Sequence, residues 1–235
     1  MERIPEPELM NEALQVSAYA SADFSDSDSA VLCRLVELCR EFGQEPTAND
    51  LLVDLGCGPG NIAERLHRHW PTSWVIGMDG AEAMLQVARS RQQSCPGSDA
   101  QLHYLKVALA DLAAVGWSAV VDCSAPKAAV VISNSLLHHL HHPEMLWQAT
   151  HRLACSGAVV LHRDLRRPAN AEEALALRER YLPDAPDVLR HDYLASLHAS
   201  FTVEEVRAQL ERCGLGCLRV EAVADRYLEV SGRLV

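Results

Sequence analysis

Residues Leu51 to Asn61 read LLVDLGCGPGN: an apolar run, an acid at Asp54, then Gly56, Gly58 and Gly60 around Cys57 and Pro59. The run reads as a strand. Glycines at its end let a ligand approach the backbone closely and lie against the N-terminus of a following helix. A nucleotide or nucleoside suits such a loop. The dinucleotide pattern G-x-G-x-x-G is broken at its sixth position by Asn61, which is too bulky for the packing role of the third glycine. A phosphate loop is also absent, because no Lys-Ser or Lys-Thr pair follows.

Farther along, ISNSLLHHLHHP carries His138, His139, His141 and His142. Imidazole is a common metal ligand and the usual proton acceptor near neutral pH. No cysteine or carboxylate lies in ligand spacing except Glu144, beyond a proline, so no metal is expected. His138 or His139 is expected to face a pocket while the others are solvated. A hydroxyl or acidic carbon that loses a proton needs a base, and His138, His139, Asp164, His191 and His198 are the available groups. Arg166 and Arg167 in HRDLRRP could hold an acidic substrate, or form a solvated, charge-balanced surface.

The elements that must carry these residues alternate. SDSDSAVLCRLVELCREFG sets Val31, Leu35, Leu38 and Phe42 at helical spacing, with Ser and Asp caps before it and Gly43 behind. The strand LLVDL, a helix over 61–69, the strand SWVIGMD and a helix around AEAMLQVARSRQQ then follow. LHYLKVAL and AAVVIS read as further strands, and Pro143 opens a helix that ends near Gly157 before the strand AVVLHRD. The sequence predicts an α/β, doubly wound, mostly parallel sheet. Residues 166–201 interrupt the rhythm as two helices parted at Pro183, TVEE at 202–205 is a capping box, and Gly214 closes the helix it starts. Two short strands, about 217–223 and 227–231, are too close for a crossover helix and should pair antiparallel.

Composition narrows the function. The chain has 235 residues, 49% apolar and 23% charged, and a formal net charge of −11. That charge repels a phosphate backbone, so nucleic acid is not an expected partner. No apolar stretch approaches the ~20 residues of a membrane span, and MERIPEPELM lacks the basic and apolar regions of a signal peptide. A cytoplasmic location and no membrane partner are expected. The eight cysteines form no C-x-x-C pair, which argues against a zinc ribbon and a dithiol redox motif.

The stretch VDLGCGPGN resembles motif I of the class I S-adenosylmethionine-dependent methyltransferases, D-x-G-x-G-x-G led by Asp54. The N/H-rich segment after the fourth strand is similar to that of the small-molecule branch typified by ubiquinone and menaquinone methyltransferases. The resemblance spans roughly 30–235 and implies a Rossmann-like seven-stranded sheet with an antiparallel final strand. It implies S-adenosyl-L-methionine as cofactor, with the glycine loop under the methionyl part and Asp54 near its amino group. Cofactor contacts would come from Asp54, Gly56, Cys57, Gly58, Gly60, Asp79, Gly80, Met84, Asp111, Leu112 and Asn134. Asp79 would take two ribose hydroxyls and Asp111 would lie near the adenine amino group; outside the family these are a turn residue and a helix cap.

In that family the substrate lid is built where residues 1–29 and the helical insertion at about 166–201 stand here. Tyr19, Phe24, His138, Arg166, Tyr193 and His198 are then the acceptor-binding residues, and His138, His139 and Asp164 the catalytic ones. Tyr193 and His198, five apart, diverge by about 140° on one helix, so one of them is expected to be structural. No N-P-P-Y motif follows strand four, since Asn134 is followed by Ser135 and Leu136; adenine and glutamine acceptors are disfavoured. The implied function is methyl transfer to a small molecule. An RNA or protein methyltransferase and a non-catalytic cofactor-binding partner are the other readings, and the sequence leaves the oligomeric state open. Calorimetry is expected to record binding of S-adenosylmethionine and S-adenosylhomocysteine but not NAD; tight NAD binding without either would refute the assignment.

Overall fold

In a computed structural model the structure describes residues 1–6, 13–94, 101–119 and 127–235; Cys95 and Cys123, counted above, lie outside them. Seven strands form one sheet: β1 (Leu51–Leu55), β2 (Trp74–Asp79), β3 (Leu102–Lys106), β4 (Ala128–Asn134), β5 (Ala154–Leu165), β6 (Arg219–Val223) and β7 (Tyr227–Arg233). Their order is β3-β2-β1-β4-β5-β7-β6. Neighbours from β3 through β5 pair parallel, and β7 runs antiparallel to both β5 and β6. This is the Rossmann-like sheet with one reversed strand that the sequence predicts. No helix among the described residues is long and apolar enough to cross a membrane.

Strand alternation divides the core. Leu51, Val53 and Leu55 of β1 pack with α5 (Leu109–Val115), α6 (Glu144–Leu153) and α9 (Val203–Arg212). Leu52 faces the other way, against α2 (Ser25–Glu41), α3 (Asn61–His69) and α4 (Glu82–Gln93). Asp54 shares the side of Leu52 and is the penultimate residue of β1, under the start of α3, so the chain must leave the strand through a turn that the glycines make possible. Gly56, Gly58 and Gly60 all have positive φ, a conformation that costs glycine little.

Local signals mostly settle where expected, with two departures. Thr202 and Glu205 form both hydrogen bonds of the capping box, and Gly214 follows α9 at φ +72°. At α2 the N-cap is Phe24 rather than a serine or aspartate, and Asp28 lies buried inside the helix, 3.5 Å from Arg65. After α6 no loop runs to Gly157: β5 begins at Ala154, and Gly157, at φ +86°, sits within the strand where the register with β4 shifts.

An ion pair crosses the antiparallel ladder of β7 and β5. Arg163 and Glu229 are directly opposite in the antiparallel register, and Arg163 Nε donates to Glu229 Oε1 at 2.7 Å. Arg34 of α2 reaches the other carboxylate oxygen at 3.3 Å. Glu229→Ala would leave a buried guanidinium without its counter-charge, at a cost of about 3–5 kcal/mol. Chemical denaturation is expected to record that loss; a change under about 1 kcal/mol would mean that water reaches the pair.

Candidate functional site

At the C-terminal ends of β1, β2 and β4 the wall opens into a cavity of about 840 Å³, within the range of small-molecule sites. Its floor is the glycine loop. A side chain at Gly56 would meet Leu136 Cδ1 at 2.6 Å, and one at Gly60 would collide with the Tyr104 ring, whereas a Cβ at Gly58 meets nothing within 4 Å. Gly58 therefore offers backbone to whatever fills the cavity.

Two acids frame this floor. Asp79 Oδ2 accepts from Gly58 N at 2.8 Å and Oδ1 from Ala81 N at 2.7 Å, tying the loop to the start of α4. A carboxylate has about four acceptor positions, so capacity remains for two donors. Asp54 is 1% exposed and its Oδ2 has no hydrogen-bond partner among the described residues, at a position that lines the cavity. Burial raises the Asp79 carboxyl above the usual range and the Asp54 carboxyl well above it. An unpartnered buried oxygen beside exposed loop backbone fits the ammonium and hydroxyls of the methionyl and ribose parts of an S-adenosyl ligand.

Of the other residues read as cofactor contacts, Gly56, Cys57, Gly80, Met84, Leu112 and Asn134 line the cavity. Gly60 and Asp111 do not. Gly60 is the left-handed N-cap of α3, packed beneath Tyr104, and Asp111 is exposed in the first turn of α5, with its neighbours Leu109, Ala110 and Leu112 on the wall instead. Past β4 the chain turns through Ser135 at φ +58°, a strained conformation for a side-chain-bearing residue, whose N–H is fixed to Arg163 O at 2.9 Å.

That turn delivers the histidines. His138 Nδ1 donates to Asp164 Oδ1 at 2.5 Å, and the same carboxylate accepts from Leu137 N and Leu165 N at 2.6 and 2.7 Å. His138 and His139 line the cavity, while Asp164 lies behind His138. A third partner arrives from the first residues of the chain: Glu6 Oε1 stands 3.5 Å from His138 Nε2 and 3.0 Å from His139 Nδ1. One oxygen and two nitrogens thus lie within 4.8 Å of one another, close enough to share an ion, which local spacing around the histidine run could not reveal. Arg3 holds this segment down, donating to the carbonyls of Ala199 and Leu140 at 2.5 and 2.9 Å and stacking on the Phe201 ring at 3.9 Å.

Of the residues read as acceptor contacts, Tyr19, Phe24 and Tyr193 line the cavity, and the Tyr19 and Phe24 rings touch at 4.8 Å between centroids. His198 does not line it: it sits on the opposite side of α8 (Asp187–Ala199) from Tyr193, as the 140° divergence requires. Arg166 and Arg167 are also turned away. Arg166 Nη2 donates to Asp225 O at 3.0 Å, and Arg167 Nη2 to Glu205 Oε1 at 2.5 Å. The arginine that does line the wall is Arg226, from the turn between β6 and β7, which carried no motif in the sequence.

Residues 52–157 match the family described as a methyltransferase domain. Trans-aconitate 2-methyltransferase of Yersinia pestis (strain Pestoides F) is 40% identical over 80 residues, covering 28% of this chain and 31% of that protein. The protein of the same name from Mycolicibacterium gilvum (strain PYR-GCK) is 34% identical over 110 residues, covering 46% and 34%. The chain thus spans about a third of the length of these relatives. The plantazolicin methyltransferase BpumL, solved with a triazolic desmethylPZN analog and S-adenosylhomocysteine, superposes with a TM-score of 0.68 over 94% of this chain and 90% of that one, at 11% identity, which is a likeness of fold.

The charge on His138 can be tested directly. Burial opposes it, but the Asp164 and Glu6 carboxylates prevail and raise the imidazole above its usual 6.5. The folded state then binds its proton more tightly than the unfolded chain, so the stabilisation is complete below pH 6.5 and lost as pH rises through the folded value. Denaturation curves against pH are expected to show wild type losing this increment while His138→Gln does not; parallel profiles would place no charge on His138.

Proposed function

We propose that this chain, a class I S-adenosylmethionine-dependent methyltransferase by fold and by its matched domain, transfers a methyl group to a small-molecule acceptor. The observation that carries this is the single cavity running from Gly58, Asp54 and Asp79 at one end to His138, Tyr193 and Arg226 at the other. It has room for cofactor and acceptor side by side.

The cofactor supplies a sulfonium-bound methyl group with an excellent leaving group. The chain's own contribution is alignment and exclusion of water. Asp54 receives the ammonium, Asp79 the ribose hydroxyls, Leu112 and its neighbours the adenine, and Asn134 borders the methionyl end. Of the described residues, 13–29 and 166–201 form the roof. Helix α1 (Ala13–Ser21) packs against both α4 and α8, which links the two parts of the roof over the cofactor end.

His138 takes a proton from an acceptor that must lose one. Asp164 fixes its Nδ1–H, which leaves Nε2 as the reactive atom. A raised pKa makes this imidazole a stronger base but leaves it neutral only at higher pH. Metal is dispensable in this reading, because the base is an imidazole and Glu6 already accepts from Ser196 Oγ at 3.1 Å. Free thiols such as Cys39 and Cys57 suit a reducing compartment, and the cytoplasm is the proposed location.

Asp79→Ala removes an acceptor for two charge-assisted hydrogen bonds, worth about 1.5–3 kcal/mol each at most. Calorimetry with S-adenosylhomocysteine is expected to record a loss of about tenfold or more in a folded variant. Unchanged affinity would mean that the ribose lies elsewhere. Screening S-adenosylhomocysteine release against fractions of cell extract tests turnover itself; cofactor binding without release in any fraction would favour the non-catalytic reading.

A further inference from the structure

Arg226 is half-buried on a turn that several hydrogen bonds hold. Its turn, between Val223 and Tyr227, contains Ala224 at φ +51° and is clasped from three sides. Arg166 N donates to Arg226 O at 2.7 Å, and Arg166 Nη2 to Asp225 O at 3.0 Å. Asp225 in turn accepts from Tyr181 Oη and Arg180 Nη1, both at 2.6 Å. The strained turn is thus fixed to α7 (Ala171–Tyr181) and to the end of β5, and the side chain it presents lines the cavity.

The guanidinium is flanked by rings. Its carbon lies 3.4 Å from the Tyr181 ring centroid and 4.7 Å from that of Tyr227, and both tyrosines line the cavity. Stacking occupies the faces of a guanidinium and leaves its N–H donors, which lie in the plane, available at the edge. No carboxylate of the described residues forms an ion pair with it. Tyr193 Oη, on the same stretch of wall, stands beside the Arg226 guanidinium, from which it can accept while keeping its own O–H to donate. Leu182 and Leu189 complete an apolar surround.

Resting on the methyltransferase reading, we propose that Arg226 is the acceptor-recognition residue, and that the acceptor carries a carboxylate on an apolar body. The carboxylate takes the guanidinium edge through two parallel hydrogen bonds, with Tyr193 Oη as a third donor, and the body lies among Tyr181, Tyr227 and the two leucines. Arg226, Tyr181, Tyr193 and Tyr227 all lie outside the matched 52–157 stretch, so the family match does not supply this assignment.

The test uses the full chain saturated with S-adenosylhomocysteine and a panel of aliphatic, unsaturated and aromatic monocarboxylates, each paired with its primary amide, with inorganic phosphate as a further probe. Calorimetry is expected to find carboxylates that bind at least about tenfold more tightly than their amides. Arg226→Gln should abolish that preference while keeping wild-type affinity for S-adenosylhomocysteine, which also reports that the variant is folded. Amides or phosphate bound as well as the carboxylates, no carboxylate bound, or an undiminished preference in Arg226→Gln would overturn the proposal while leaving the cofactor site standing. Failure of the wild-type chain to bind S-adenosylhomocysteine would overturn the reading beneath it as well.

Discussion

Two carboxylates at the C-terminal ends of neighbouring parallel strands, Asp54 buried and Asp79 half-buried, set the terms for the rest of this structure. Asp54 is the penultimate residue of β1 and Asp79 the last of β2, and neither forms an ion pair among the described residues. Burying an acid without a counter-charge is unfavourable, and here it raises both pKa values. Asp79 offsets part of that cost by accepting from Gly58 and Ala81, and so fixes the glycine loop. Asp54 keeps one oxygen unmet. In the proposed function a cationic, hydroxyl-bearing ligand completes both.

The other end of the cavity follows the same logic with the signs reversed. There the sheet presents a cation, Arg226, on a turn that β5 and α7 clamp, and a histidine held between carboxylates. The reversed strand β7 makes this possible: running antiparallel beside β5, it starts next to the end of β5, so Arg226 and Tyr227 arrive beside Asp164 and Leu165. The buried Arg163–Glu229 pair lies in that same register.

Much of this was legible in the chain because it is encoded locally. Helix α3 occupies the predicted 61–69, the Thr202 capping box closes as drawn, and the spacing of the last strands forces their antiparallel pairing. What escaped was nonlocal. Glu6 meets His138 and His139 across more than a hundred residues of sequence, so no spacing rule could join them. Arg166 was a reasonable substrate ligand by composition, yet its position at the strand end turns it onto the β6–β7 turn, where it supports the arginine that does line the cavity. Asp111 and Gly60 occupy the family's positions but stand one residue from the wall, a displacement that motif spacing does not resolve.

The account stands on these two acids ionising when their ligand arrives. Proton exchange on binding measures this directly: S-adenosylhomocysteine titrated calorimetrically in buffers of different ionisation enthalpy over a series of pH values, since burial raises both carboxyls. Net proton release that shrinks in Asp54→Asn is the predicted result. Binding with no proton released, or with the same release in Asp54→Asn, would contradict it.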